Sequence, residues 1–286
     1  MESKKVKIPG LKTCYVCPLN CGVNRYKTRG LCGADANIEV SSYNLHRGEE
    51  TPISGQSGSG TIFFTHCSLG CIFCQNYTIS KQGQGRIISE DELIKIMLEL
   101  QDRGAHNINL VTPTHYALQI LKVLKKIKDR KLKIPVVYNT SGYENIKTLR
   151  KLEGLVDVYL PDIKFFSDAT AALYTQAKDY HKVNVRALEE MFRQVGNLKL
   201  NEQGIAERGL LIRHLVLPEG LSGTSEVLRF LREKFGKKIF LSLMSQYHPV
   251  GDARRDPKLC RRITRQEYFA ALSEVERLGL ENVYSQ

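Results

Sequence analysis

Residues 60–74 read Gly-Thr-Ile-Phe-Phe-Thr-His-Cys-Ser-Leu-Gly-Cys-Ile-Phe-Cys, an apolar run ending in three cysteines at C-x3-C-x2-C spacing. The run 61–67 predicts a β-strand, with Cys67, Cys71 and Cys74 at its C-terminal end. Three thiolates packed so closely can hold three corners of a cubane iron–sulfur cluster, leaving the fourth iron without a protein ligand. A structural zinc site fits less well, because it asks for a fourth close ligand. His66 is adjacent, but alternation along the strand turns it to the other side.

Five more strand-like runs follow, at 107–112, 135–140, 156–163, 209–217 and 238–244. They are rich in Val, Ile, Leu and Phe and mostly do not alternate with polar residues. That pattern suits strands buried on both faces of a parallel sheet. Helical patterns lie between them. Ser89 can cap a helix, with Glu92 as its capping-box partner. Leu93, Ile96, Met97 and Leu100 then recur at helical spacing, and Gly104 stops the helix. Further helices are predicted over 116–130, 145–152, 169–177, 182–195, 224–235 and 265–278. Six β/α units argue an α/β protein with right-handed crossovers, as a partial barrel or an open sheet. No dinucleotide-binding glycine fingerprint follows the first strand to favour the open sheet. The segment 54–60, Ser-Gly-Gln-Ser-Gly-Ser-Gly, precedes that strand and lacks the Lys-Ser/Thr of a phosphate loop. It reads as a flexible lead-in.

The chain has 286 residues, 42% hydrophobic and 25% charged. That composition excludes a disordered tail, a collagen-like fibre and a coiled coil. Of the eight cysteines, seven fall by position 74. Residues 1–7 carry no apolar signal-peptide core, and no run approaches the roughly 18 apolar residues that span a bilayer. A cytoplasmic protein is expected, where clustered cysteines mean metal or catalysis rather than disulfides. Lys+Arg 42 against Asp+Glu 30 gives a net charge of +12. Its densest run, 125–133, reads as the solvated end of a helix or as a patch for nucleic acid or an acidic partner. No aromatic residues interleave it as stacking platforms would, so nucleic acid is not the favoured partner.

Cys14, Cys17, Cys21 and Cys32 form a second set, C-x2-C-x3-C-x10-C, among the turn residues Pro18, Asn20, Gly22, Gly30 and Gly33. A loop-rich segment poor in core formers needs a staple. Four thiolates suit a closed zinc site or a second [4Fe-4S] cluster, and the spacing does not decide between them. We expect a small Cys-rich N-terminal metal-binding module over 1–55 and the main domain over 56–286. Cys260 reads as an ordinary thiol.

C-x3-C-x2-C after the first strand, with Phe73 just before the last cysteine, resembles the signature of the radical S-adenosylmethionine (SAM) superfamily. The surrounding 60–64 and 74–76 resemble its pyruvate formate-lyase activating enzyme-like branch. The likeness implies a partial (β/α)6 TIM-like barrel holding a [4Fe-4S] cluster, with SAM chelating the open iron. It also implies reductive cleavage to a 5′-deoxyadenosyl radical that abstracts hydrogen, and an electron donor such as flavodoxin or ferredoxin. The implied partner is a glycyl radical enzyme. RNA, a peptide or a small metabolite is the alternative substrate, and a non-catalytic metal- or nucleic-acid-binding protein the reading from another class.

The resemblance carries over to strand ends. Val111-Thr112-Pro113-Thr114 stands where many members have a Gly-Gly-Glu-type motif for the methionyl amine. This chain departs from it, leaving Thr112 and Thr114 as oxygen donors or as the start of a helix. Asn139 and Ser141 sit where ribose hydroxyls are held, or form an ordinary turn. Asp162 and Lys164 resemble the Asp-x-Lys segment of glycyl-radical activating enzymes, or make a rim ion pair. Arg213 corresponds to a contact with the SAM carboxylate, since an Arg inside an apolar strand needs a partner. Gln246 or Tyr247 stands where relatives contact the adenosyl group.

Overall fold

A computed structural model describes residues 7–128 and 132–285. Residues 1–6 and the centre of the basic run, 129–131, lie outside the described residues, so the end of the helix predicted to 130 does too. In chain order the elements are β1 (Ile38–His46), α1 (Thr51–Ser54), β2 (Ser59–Phe64), α2 (Tyr77–Ser80), β3 (Arg86–Ile88), α3 (Glu90–Asp102), β4 (Ile108–Val111), α4 (Ala117–Lys128), β5 (Val136–Thr140) and α5 (Ile146–Leu152). There follow β6 (Val158–Pro161), α6 (Asp168–Tyr174), α7 (Tyr180–Val195), β7 (Lys199–Leu200), β8 (Ala206–Leu215), α8 (Thr224–Phe235), β9 (Phe240–Met244), α9 (Arg265–Leu278) and β10 (Asn282–Ser285). The six expected strands are β2, β4, β5, β6, β8 and β9.

These six and β10 run parallel, each beside the next in the order β2-β4-β5-β6-β8-β9-β10. Right-handed crossovers between successive neighbours put the helices on one face, so the sheet curls around the other. Its path ends at β3 and β10 without closing. Alternation divides the strand residues accordingly. Ile62, Phe64, Leu110, Tyr138, Tyr159, Ile212 and Leu241 enter the main core with Leu93, Met97, Leu124, Leu188 and Leu228 of the helices. On the concave face Val137, Val158, Leu160 and Leu211 form an apolar layer that Ile53 of α1 seals.

The N-terminal segment shares this architecture. β1 pairs antiparallel with β2, and β3 with β1. Leu11, Cys14, Val16, Cys32 and Ala34 pack in the main core. Arg25 is a non-covalent staple, 1% exposed. Its guanidinium donates to the carbonyls of Asp35 and His115 and lies over the Tyr116 ring. Among the described residues no helix is long and apolar enough to cross a membrane.

The loops after β4 and β5 are clamped by a buried carboxylate. Glu144 is 1% exposed and accepts hydrogen bonds from the Thr114 and Thr140 hydroxyls, each at 2.5 Å. Burial pushes its carboxyl up to about 7 from an ordinary 4.5, against the pull of those two hydroxyls. Between those values the folded protein keeps a proton that the unfolded chain has shed. This contribution to stability is full below pH 4.5 and falls by roughly 3 kcal/mol as pH rises through 7. Glu144→Gln should therefore gain stability relative to wild type as pH rises from 5 to 8, and level off above. Denaturation of both proteins across that range checks it. A pH-independent difference would show that Glu144 does not titrate there.

Candidate active site

A cavity of about 410 Å³ opens at the C-terminal ends of the parallel strands. The loop 65–76 forms one wall, and Cys67, Cys71 and Cys74 all line it. Alternating anchors hold this loop. Leu69 and Phe73 are buried with Tyr143, Phe165, Tyr174, Tyr180 and Tyr247 in a second apolar cluster. The Ile72 N–H donates to the Tyr174 carbonyl at 3.0 Å, and the Gln176 N–H to the Leu69 carbonyl at 2.9 Å. Phe73 stands edge-on to Phe165 and Tyr247 and also faces the cavity.

The sulfurs are received by weak donors. The Leu69 N–H points at Cys67 Sγ from 3.4 Å, and the Ser80 hydroxyl at Cys74 Sγ from 3.2 Å. Burial pushes the Cys67 thiol up to about 11, with the neighbouring Cys74 adding to it. Burial raises Cys71 too, against the pull of the Lys164 charge. Thiols in such a place stay protonated unless a cation offsets the thiolates, which coordinated iron does. Among the described residues no three His, Cys, Asp or Glu side chains are gathered to hold a metal ion. Cys67, Cys71 and Cys74 nonetheless all face the same cavity, and three thiols are the donor chemistry that an iron–sulfur cluster takes. His66 turns away from them with φ of 66°. Its Nε2 meets Glu39 at 3.1 Å and Arg29 at 3.0 Å.

Opposite the cysteines lie residues from four strand ends. Thr112 lines the cavity with φ of 60°, a left-handed conformation that a β-branched residue rarely adopts. Asn139, Thr140 and Ser141 line it from the turn after β5. Gly142 allows that turn, since a Cβ there would fall 2.3 Å from the Asp162 carbonyl oxygen. Asp162 and Lys164 both face the cavity and pair at 2.6 Å. Burial works against the Lys164 charge, but Asp162 and Cys71 more than offset it and hold the ammonium above its ordinary value.

Arg213 also faces the cavity, and its fork is occupied. Nε donates to Glu50 Oε1 at 2.7 Å, Nη2 donates to Glu50 Oε2 at 2.5 Å and to Glu49, and Nη1 reaches Asn139 Oδ1 at 3.4 Å. Burial disfavours the Glu50 charge, yet Arg213 outweighs it and draws the carboxyl below its ordinary range. Two residues expected at the site lie behind it. Thr114 is 1% exposed and bound to Glu144. Tyr247 is 1% exposed, with its hydroxyl on the Leu259 carbonyl at 2.6 Å. Gln246, beside it, lines the cavity. The sequence reading missed Glu49 and Glu50, which stand in a loop without periodicity. The unpaired charge of Arg213 was the signal that a carboxylate had to be near.

Of the N-terminal cysteines, Cys21 and Cys32 both stand beside Gly30. The sulfurs of Cys21 and Cys32 lie 3.5 and 3.4 Å from where a Gly30 Cβ would be. The Cys67 N–H points at the Cys32 carbonyl from 3.4 Å. Burial pushes the Cys17 thiol up to about 12, and Cys32 and Cys14 add to the shift.

Comparison with known proteins agrees with this geometry. The sequence model described as the radical SAM superfamily matches residues 61–208. An uncharacterised protein of Methanocaldococcus jannaschii is 32% identical over 96% of this chain and 77% of its own length. The crystal structure of HydG, a maturase of the [FeFe]-hydrogenase, superposes with a TM-score of 0.52 at 17% identity, over 77% of this chain and 48% of that one. HydG from Carboxydothermus hydrogenoformans gives 0.50 at 14% identity, over 77% and 50%. The chain spans about half the length of those two structures, and at this identity the likeness is one of fold. With the family match covering just over half of its residues, this protein belongs to the radical SAM superfamily.

Proposed function

We propose that Cys67, Cys71 and Cys74 hold a [4Fe-4S] cluster, and that the cavity beside them binds SAM. When bound, these groups supply a one-electron cleavage of the sulfonium, giving methionine and a 5′-deoxyadenosyl radical that takes a hydrogen atom from substrate. The observation that carries this reading is the three thiols on one wall of the cavity that the strand ends line. Asp162 and Lys164, already paired, can exchange their bond for the ammonium and carboxylate of a zwitterion. Asn139 and Ser141 offer a short amide and a hydroxyl to ribose hydroxyls, Thr112 its oxygens to the methionyl amine, and Gln246 an amide to the adenosyl group. Arg213 reaches a carboxylate only by releasing Glu49 or Glu50, so its role here is to fix the floor. Val111, Leu215 and Met244 line the cavity and shield a radical from water.

The reduced, reconstituted protein should form 5′-deoxyadenosine from SAM, and Cys71→Ala should abolish it. Turnover unaffected by that substitution would refute the assignment. Metal analysis of the same preparation separates the two readings of Cys14, Cys17, Cys21 and Cys32: about four irons with about one zinc, or about eight irons.

The finer reading is activation of a glycyl radical enzyme, and the Asp162-x-Lys164 segment supports it by resemblance. An EPR glycyl-radical signal on an added partner, formed only with SAM and reductant, is the expected outcome. A labelled hydrogen recovered in 5′-deoxyadenosine from RNA, a peptide or a metabolite would favour the alternative.

A further inference from the structure

A cluster of unpaired cations stands against the cysteine loop. The stretch 250–265 holds six cations and two carboxylates. Asp252 is taken by Lys81 at 3.2 Å, and Arg261 by Glu267 at 2.8 Å. Asp256 accepts from the backbone N–H groups of Lys258 and Leu259. Arg254, Arg255, Lys258, Arg262 and Arg265 are all exposed, and among the described residues none of these cations forms an ion pair. Phe269 follows Arg265 by one helical turn on α9 and so shares its face. Its ring is 61% exposed.

A second observation, the position of this patch, says what it meets. Ala253 and Leu259, which alternate with its cations, are fully buried in the apolar cluster that holds Leu69, Cys71 and Phe73. At Gly251 the two segments touch. A Cβ there would lie 3.4 Å from the Ile72 carbonyl oxygen and 3.0 Å from the Tyr77 ring. The Tyr247 hydroxyl donates to the Leu259 carbonyl at 2.6 Å, and its ring stands edge-on to Phe73, the chain neighbour of Cys74. Bonded and packed atoms thus run from the patch to the cysteines. None of the patch residues lines the cavity. A substrate whose reacting atom enters the cavity does not need them, whereas an electron passing through the loop starts beside them.

We propose that Arg254, Arg255, Lys258, Arg262 and Arg265, with Phe269, dock the acidic face of an iron–sulfur protein that carries single electrons. The proposal rests on reading Cys67, Cys71 and Cys74 as cluster ligands and adds where the reducing electron arrives. The carrier's centre gives up one electron and the oxidised cluster takes it up. No bond breaks and no proton moves. Opposite charges across a surface steer and orient encounter more than they add affinity, which suits a carrier that must bind, deliver and leave. The exposed Phe269 ring gives such a partner an aromatic contact to bury. Nucleic acid would meet the same cations, but one ring is no row of stacking platforms for bases.

The test is stopped-flow reduction of the reconstituted cluster by a reduced plant-type [2Fe-2S] ferredoxin, with calorimetric titration by the oxidised ferredoxin as second readout. At low ionic strength the triple variant Arg254→Glu, Arg255→Glu, Lys258→Glu should be reduced at least about tenfold more slowly than wild type, and bind more weakly. The difference should close at about 0.5 M salt, where surface charges are screened. Dithionite needs no docking and should reduce both proteins alike at that salt. Equal rates with ferredoxin at low salt, or a wild-type rate insensitive to salt, would overturn the proposal. The wild-type salt dependence decides alone if the variant fails to fold. Transfer RNA that binds more tightly than ferredoxin, and is lost in the same variant, would also overturn it and assign the patch to nucleic acid. Reduction is read without turnover. A cluster that ferredoxin reduces in this way but that never cleaves SAM would sustain this inference and count against the radical reading.

Discussion

A guanidinium buried on the concave face of a curled sheet must be paired, and much of this structure follows from how Arg213 is paired. Its partners come from outside the β/α units, from the loop joining β1 to α1. Drawing Glu49 and Glu50 inward brings α1 beneath the sheet, where Ile53 closes the apolar layer of Val137, Val158, Leu160 and Leu211. The same pairing reaches Asn139, and so ties the floor to the turn after β5. Removing either side would leave a charge stranded in a site that water reaches poorly.

The cysteine loop meets a different constraint at the other end of the cavity. Leu69 and Phe73 bind it to an aromatic cluster, which anchors the loop that carries the cysteines. Burial makes uncompensated thiolates at Cys67 and Cys71 unfavourable, and coordinated iron would relieve that cost. The N-terminal cysteines abut this loop through Cys32 and Cys67, so the two sulfur-rich segments form one continuous region of the molecule.

Much of the fold was legible because buried parallel strands leave continuous apolar runs. The six strands lie within three residues of their expected bounds, and α8 and α9 match theirs. β1 was overlooked because its sequence, Ile-Glu-Val-Ser-Ser-Tyr-Asn-Leu-His, alternates like a half-exposed antiparallel strand and follows a stretch dominated by turns and cysteines. β3 and β10, three and four residues long, carry too short a pattern to read. At the site, the cysteines announce themselves by spacing, and Thr112, Asn139, Ser141, Asp162, Lys164, Arg213 and Gln246 by standing at strand ends. Side-chain direction was harder. Thr114 and Tyr247 are each one turn or one residue beyond a cavity-lining neighbour, and the backbone carries them into the core. Glu49 and Glu50 had no local signal, since what defines them is a contact with a residue more than 160 positions away.

The central claim is that one cavity brings a cluster held by Cys67, Cys71 and Cys74 into direct contact with SAM. The measurement that tests it most directly is the EPR spectrum of the reduced, reconstituted protein before and after addition of SAM. Coordination of SAM to the open iron predicts a changed signal from that cluster. A spectrum identical with and without saturating SAM would contradict it.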